Sequence, residues 1–171
     1  MELVINEVKD KKELEKVLEE SIEIAKDYEV AVIVYAFDKD NKIIFQRRGP
    51  ACRDERLKLE TIGGRVKEHE NFRTALQREI VEEIGTEAQI EIQEFITATY
   101  AKCFDERDKK EQAWVYLVYK GCLKNGEPKI AEPEKCLGYE RYKIGEVDEN
   151  ELSRGAREIY GIVSRKYRNL K

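Results

Sequence analysis

The sequence predicts an α/β (α+β) fold in which helices cover a mixed β-sheet on both sides. Residues 30–37 form a continuous, valine-rich apolar run with the length of a buried strand. Longer strand-like stretches follow at 88–104 and 112–121, on either side of a charged loop. A helical pattern at 71–84 lies among the strands, and helical patterns also lie near both ends of the chain. One central and two terminal helices around a sheet indicate an α/β/α sandwich.

The first helical pattern covers residues 10–27. Asp10 and Glu13 have the spacing of a capping box. The apolar residues of this segment recur at the helical period: Leu14, Val17, Leu18, Ile22 and Ala25. We therefore divide the chain into an N-terminal helical extension, 1–27, and a domain, 28–171. We expect the extension either to cover the sheet or to form a homodimer contact.

Turn-forming and capping residues delimit the other elements. A second strand is predicted at 42–48 and a short one at 57–62, followed by the glycine pair Gly63-Gly64. Asn71 is a good N-cap for the central helix, and Gly85 is typical of a residue that ends one. A short strand is predicted near 139–144. The last helix has Gly155 and Gly161 in its interior and carries an apolar face: Leu152, Ala156, Ile159, Tyr160, Val163 and Tyr167.

The composition excludes several classes of protein. The 171 residues suit one domain, and the net charge of −4 argues against nucleic acid or anionic membranes as partners. The longest uncharged runs have eight residues, too few for a membrane span, and the charged residues near the N-terminus lead us to expect no signal peptide. The four cysteines are isolated, so we expect reduced thiols in a cytoplasmic protein. His69 is the one histidine, which excludes sites built from several histidines.

Glutamates on the central helix are the most informative feature of the chain. Because each helical residue advances about 100°, Glu79, Glu82 and Glu83 fall within one arc of about 100°. Apolar residues of the same helix, including Ile80, overlap that arc, so these carboxylates extend the inward face. Like charges at this spacing destabilise a helix. A divalent cation with oxygen ligands, such as Mg²⁺, explains the cluster, and the alternative is a solvated acidic face in a Glu-rich chain.

The spacing of residues around these glutamates decides between the two interpretations. It reads G-x5-E-x7-R-E-U-x-E-E-x-G, where U is aliphatic, and is formed by Gly64, Glu70, Arg78, Glu79, Ile80, Glu82, Glu83 and Gly85. This pattern resembles the signature of the Nudix hydrolases, the MutT-like family. Thr86 departs from it, because an aliphatic residue is usual there. The order of strands and helices is also similar, so the resemblance extends over about residues 28–170.

The resemblance implies Mg²⁺-dependent hydrolysis of a diphosphate linkage in a nucleoside diphosphate joined to another moiety. Residue by residue, it implies that one to three Mg²⁺ ions, with Mn²⁺ as a substitute, are held by Glu79, Glu82, Glu83 and the carbonyl of Gly63. Arg78 would orient a glutamate of the motif, and Glu70 would support the loop or bind an outer metal. Bound metal neutralises the diphosphate and lowers the pKa of the attacking water.

The identity of the general base stays open. Glu79 is the first candidate, because it belongs to the motif. Glu132, Glu134 and Glu140 are the others, since a downstream loop glutamate sometimes completes the site in related proteins. The alternative for these three is an exposed loop charge.

Arginines upstream of the glycines are candidate ligands of substrate phosphates, because guanidinium matches phosphate in a bidentate way. The cluster contains Arg47, Arg48, Arg53 and Arg56, among which we select Arg47 and Arg53. The alternative is a set of surface ion pairs with Asp54 and Glu55. The sequence thus predicts an enzyme with a small nucleotide-like substrate. The second hypothesis is a Nudix-like module that binds a nucleotide without cleaving it.

Overall fold

The computed structural model describes residues 29–52, 54–105 and 109–168. The predicted helix at 10–27, the extension 1–27 that contains it, and Arg53 lie outside the described residues. The described elements are, in chain order, β1 (Glu29–Phe37), β2 (Ile43–Arg48), β3 (Leu59–Glu60), β4 (Ile62–Arg65), α1 (Phe72–Ile84), β5 (Gln89–Asp105), β6 (Lys110–Asn125), β7 (Cys136–Tyr142), a 3₁₀ turn (Glu149–Glu151) and α2 (Arg154–Tyr167).

The seven strands form one mixed sheet. β1 runs parallel to β6 over its whole length, from Glu29 opposite Trp114 to Phe37 opposite Cys122. The other pairings are antiparallel: β5 with β6, β1 with β2 and β4, and β2 with β3 and β7. The mixed sheet predicted from the sequence is confirmed.

β1 and β2 diverge from each other, and the chain segment of β3 and β4 fills the fork between them. The two long strands are paired at Phe37 and Ile43 only. Farther along, β3 pairs with β2, whereas β4 pairs with β1 through register partners that include Gly64 opposite Val32. Thr61 lies between β3 and β4, so the segment crosses from one strand to the other at this residue.

Each face of the sheet packs against one helix. α1 contributes Phe72, Ala75, Leu76, Ile80 and Ile84 to a buried cluster with the apolar side chains on one face. α2 packs on the other face through its own buried residues, Ala156, Ile159, Tyr160, Val163 and Tyr167. The α/β/α sandwich is therefore the observed architecture. No helix in the described ranges is both long and apolar enough to cross a membrane.

Several elements differ from the sequence prediction. Gly63 and Gly64 belong to β4 instead of following a strand, because β1 offers them a pairing edge. β7 begins at Cys136, earlier than predicted, since it pairs along β2 as far as Arg48. α2 begins at Arg154, so Leu152 lies before the helix instead of on its apolar face. The helix continues through Gly161, because packing of its apolar face outweighs the low helix propensity of glycine.

Candidate active site

α1 and β4 together place the residues of the motif. The side chain of Asn71 caps α1 by accepting a hydrogen bond from the Thr74 amide at 2.8 Å, as its position in the sequence predicts. At the other end the Gly85 amide donates to the Val81 carbonyl. The first turn and the last turn are thus fixed, so the glutamates between them have a defined direction.

The backbone of β4 approaches α1 closely at Gly64. A β-carbon at this position would lie 2.5 Å from the carboxylate carbon of Glu79 and 2.5 Å from each of its oxygens. Any side chain at position 64 would therefore overlap the Glu79 carboxylate. The glycine leaves room for that carboxylate to lie against the strand.

Arg78 connects three glutamates of the motif. It holds Glu70 through two hydrogen bonds of 2.8 Å, from Nε to one carboxylate oxygen and from Nη2 to the other. Its Nη1 contacts Glu79 at 2.5 Å and Glu82 at 3.2 Å. Nη2 also donates to the Arg65 carbonyl, which joins α1 to the end of β4. The rigid guanidinium thus sets the positions of Glu70 and Glu79 relative to each other.

Glu83 is held from two strands. Its Oε1 accepts a hydrogen bond from Gln46 Nε2 at 2.8 Å, and its Oε2 accepts one from the Gly63 amide, also at 2.8 Å. The Tyr139 hydroxyl donates to the backbone carbonyl of Glu83. Glu82, by contrast, has a side chain that is 47 % exposed and contacts only Arg78 and Lys67 in the described part of the chain.

Burial perturbs the acidic groups. It raises the pKa of Glu83 to about 8, against the hydrogen bonds from Gln46 and Gly63, and the charges of Glu79 and Glu60 act in the same direction as burial. Burial also raises the pKa of Glu79, although its contacts with Arg78 oppose the shift. The fold thus buries two carboxylates whose charged forms a nearby cation would stabilise.

The donor set fits a hard divalent cation. Glu79, Glu82, Glu83 and the backbone of Gly63 supply oxygen atoms of the kind that Mg²⁺ prefers, and the desolvated carboxylates gain from added positive charge. Among the residues that the structure describes, no three acidic, histidine or cysteine side chains already surround a common point. Arg78 contacts a carboxylate oxygen of Glu79, and Gln46 and the Gly63 amide each donate to a different oxygen of Glu83.

A pocket of about 320 Å³ opens beside these glutamates. It lies between α1, β2 and the segment that leads into β7, and its lining comprises Gln46, Arg48, Ala51, Cys52, Glu82, Glu83, Glu132, Lys135 and Cys136. Cationic and anionic side chains both contribute, with Arg48 and Lys135 facing the same space as Glu82 and Glu83. A charged ligand that combines phosphate with a divalent cation is compatible with such a lining.

Arg47 lies on the face of the sheet opposite to the pocket. Its Nε donates to Glu140 at 2.7 Å, and its Nη1 donates to Glu151 at 2.7 Å, next to α2. Because side chains alternate along a strand, the neighbouring Arg48 and Gln46 face the pocket instead. The structure therefore does not bring Arg47 close to the glutamates of α1. Glu140 lies on the same face of the sheet as Arg47.

The pocket also contains residues that the sequence reading did not select. Gln46 and Cys136 carry no motif signal, and Lys135 lies in a charged loop with several similar residues. Strand alternation could have identified Gln46, because it lies on the same face of β2 as the buried Ile44. A polar side chain that points inward needs a hydrogen-bond partner. Glu132, one of the three loop glutamates considered as base, does line the pocket.

Comparisons with known proteins agree with this fold. The chain matches the family model of the NUDIX domain over residues 27–161. Among solved structures, it is similar to a MutT protein from Methanosarcina mazei Go1, with a TM-score of 0.66, 17 % identity and coverage of 84 % of this chain and 96 % of that one. A MutT NUDIX hydrolase from Burkholderia pseudomallei gives a TM-score of 0.61 and 23 % identity, covering 79 % and 97 %.

A further similar structure is the NUDIX domain of Shewanella oneidensis NrtR in complex with ADP ribose. It has a TM-score of 0.58 and 14 % identity, with 82 % of this chain and 88 % of that one covered. No curated protein sequence matches the chain. At these low identities the structural matches show the fold only. The family model covers most of the chain and therefore shows the family.

The fold and the carboxylate-bearing helix together define a hydrolase of the Nudix type. The chain belongs to the Nudix family, whose members act on nucleoside diphosphate derivatives. The resemblance noted in the motif is thereby confirmed.

Proposed function

We propose that the protein hydrolyses a diphosphate linkage in a nucleoside diphosphate joined to another moiety, with Mg²⁺ as its cofactor and Mn²⁺ as a substitute. The observation that carries the proposal is that two glutamates of the motif, Glu82 and Glu83, line a pocket together with cationic side chains. Nudix-like domains that only bind a nucleotide usually lose glutamates of the motif, whereas this chain has all of them.

Different side chains have roles in metal binding, substrate binding and proton transfer. Glu79, Glu82, Glu83 and the Gly63 carbonyl would hold the cation, which neutralises the diphosphate and acidifies water when bound. Arg78 is anchored by its hydrogen bond to Glu70 and keeps Glu79 in place through a direct contact. Arg48 faces the pocket and is the arginine we propose for substrate phosphate; Arg53 remains a candidate for the same role.

Glu79 is our proposed general base, because it belongs to the motif and its carboxylate is held in place by Arg78. Glu132 is the alternative, because it lines the pocket. Glu79→Gln and Glu132→Gln separate the two. The variant that loses the acidic limb of the pH–rate profile, where the rate rises as the base loses its proton, identifies the base.

Turnover by purified protein with Mg²⁺ tests the main proposal. The panel contains nucleoside triphosphates, nucleotide sugars, ADP ribose, dinucleotide polyphosphates and coenzyme A, and products are separated by ion-exchange chromatography. Glu82→Gln and Glu83→Gln should each lower kcat by at least about 10²-fold, since each removes an anionic metal ligand. Glu68→Gln is the matched control, because Glu68 lies in the same motif with a side chain that is almost fully exposed.

The outcomes distinguish the proposal from its rival. Turnover that is unchanged in both glutamate variants contradicts the assignment of the site. Tight binding of one panel member without product would favour a nucleotide-binding module, for which the ADP-ribose complex of the Shewanella domain is a structural parallel. We further propose a cytoplasmic protein with a small-molecule substrate and no nucleic-acid partner, as its net negative charge favours.

A further inference from the structure

Gln46 is a nearly buried amide on β2, outside the sequence motif. Its side chain faces α1, and the residue is 8 % exposed. Nε2 donates to the Glu83 carboxylate at 2.8 Å and to the Thr61 carbonyl at 3.3 Å. Since an amide nitrogen carries two hydrogens, these two acceptors together fix its orientation.

The same contact fixes the Glu83 carboxylate. One of its oxygens is held by Gln46 and the other by the Gly63 amide, so rotation about the last side-chain bond would break both hydrogen bonds. Glu82 has no comparable restraint, because its side chain is half exposed. Gln46 and Gly63 belong to β2 and β4, which the fork separates, and thus they approach Glu83 from different strands.

We infer that Gln46 is a positioning residue that holds Glu83 ready to bind the divalent cation. The inference rests on the proposed function, because it assigns Gln46 a role toward the same metal site. A carboxylate that is already oriented loses less conformational freedom when the cation binds. Groups that orient metal ligands typically change metal affinity or activity by about 10–100-fold when removed.

Direct binding of Mn²⁺ tests this role without relying on turnover. Free Mn²⁺ is measured by electron paramagnetic resonance during titration of the wild type, Gln46→Met and Gln46→Asn. Methionine keeps the length of the side chain and removes the donor, and asparagine keeps the amide but shortens its reach. We expect both variants to bind Mn²⁺ at least about 10-fold more weakly. Gln93→Met, at an exposed glutamine of β5, is the matched control and should bind as the wild type does.

Activity measurements separate positioning from substrate contact. If Gln46 acts through Glu83, then raising Mg²⁺ should restore much of the lost kcat, and KM for the nucleotide at saturating metal should stay within about two-fold. Wild-type Mn²⁺ affinity in a folded Gln46→Met or Gln46→Asn variant, checked by thermal unfolding, would overturn the inference while leaving the proposed function intact. A wild type that binds no Mn²⁺ would overturn both.

Discussion

The carboxylate of Glu79 lies in the space that a side chain at position 64 would occupy. This relationship between Gly64 and Glu79 joins two residues of the motif that are fifteen positions apart. The strand can therefore pass directly beside the acidic group. The spacing of the motif thus has a steric cause as well as a chemical one.

Gly64→Ala should impair activity in a protein that still folds. The atoms that the new methyl group meets belong to the flexible end of the Glu79 side chain, so the carboxylate can move aside. Its displacement breaks the contact with Arg78 and should lower kcat by at least about 10-fold, with a loss of about 1–3 kcal/mol in the free energy of unfolding. Gly155→Ala is the control, because nothing lies within 4 Å of its β-carbon position. Full activity in Gly64→Ala would contradict this account.

Arg78→Met should destabilise the protein. The change leaves Glu70 and Glu79, whose side chains are 9 % and 12 % exposed, without the guanidinium that contacts both. A cost of about 1–3 kcal/mol is expected in urea unfolding at pH 7. Arg78→Lys should recover only part of the loss, because a single ammonium group cannot reproduce the two-atom contact with Glu70. Equal stability of the lysine variant and the wild type would argue against this geometric role.

Glu140 should make stability depend on pH. Its hydrogen bond with Arg47 holds the pKa of the carboxyl below the ordinary value of 4.5, against the smaller opposing effect of burial. A lowered folded-state pKa means that the stabilisation is present above pH 4.5 and is lost as pH falls through the folded-state value. Glu140→Gln should therefore reduce the free energy of unfolding by less than about 1 kcal/mol at pH 7, and the difference should vanish in acid. Glu158→Gln, at an exposed position of α2, should show no such convergence.

Alkylation of Cys52 should block the pocket. This cysteine is partly exposed, lines the pocket with Glu82 and Glu83, and donates from Sγ to the Lys135 carbonyl at 3.2 Å. N-Ethylmaleimide adds a group larger than the thiol at this wall, so turnover should fall as the adduct forms, as followed by intact mass. Cys52→Ser should resist, whereas Cys122→Ser should stay sensitive, since Cys122 lies on β6 away from the lining. Equal inactivation of Cys52→Ser would place the relevant thiol elsewhere.

Local signals were sufficient to predict α1, because Asn71 and Gly85 determine its ends through contacts within the helix. The glutamates of the motif were found in the same way, since their spacing alone places them on one face. The orientation of Arg47 was not predictable from its neighbourhood in sequence. It depends on which face of β2 packs against α2, and both faces of β2 carry buried apolar residues, Ile43 and Phe45 on one and Ile44 on the other.

Gln46 illustrates the other reason for a missed residue. Its partners are Thr61 and Glu83, 15 and 37 positions away, and the contact forms only after β3 has paired with β2 and α1 has packed on the sheet. Strand alternation marks Gln46 as an inward polar residue, but no local pattern identifies its distant partners. The two glycines of β4 are not predictable as strand residues for a similar reason, because they form a strand only by pairing with β1.

The fork between β1 and β2 has a consequence for how ligands affect the whole protein. Strands β2, β3 and β7 lie on one side of it, and β1, β4, β5 and β6 lie on the other, with the crossing at Thr61. The candidate site straddles this seam, since Gln46 belongs to one side and Gly63 to the other. Anything bound there would tie the two halves of the sheet together. Binding at this small site would then stabilise the entire domain. The free energy of unfolding would rise with the logarithm of the ligand concentration.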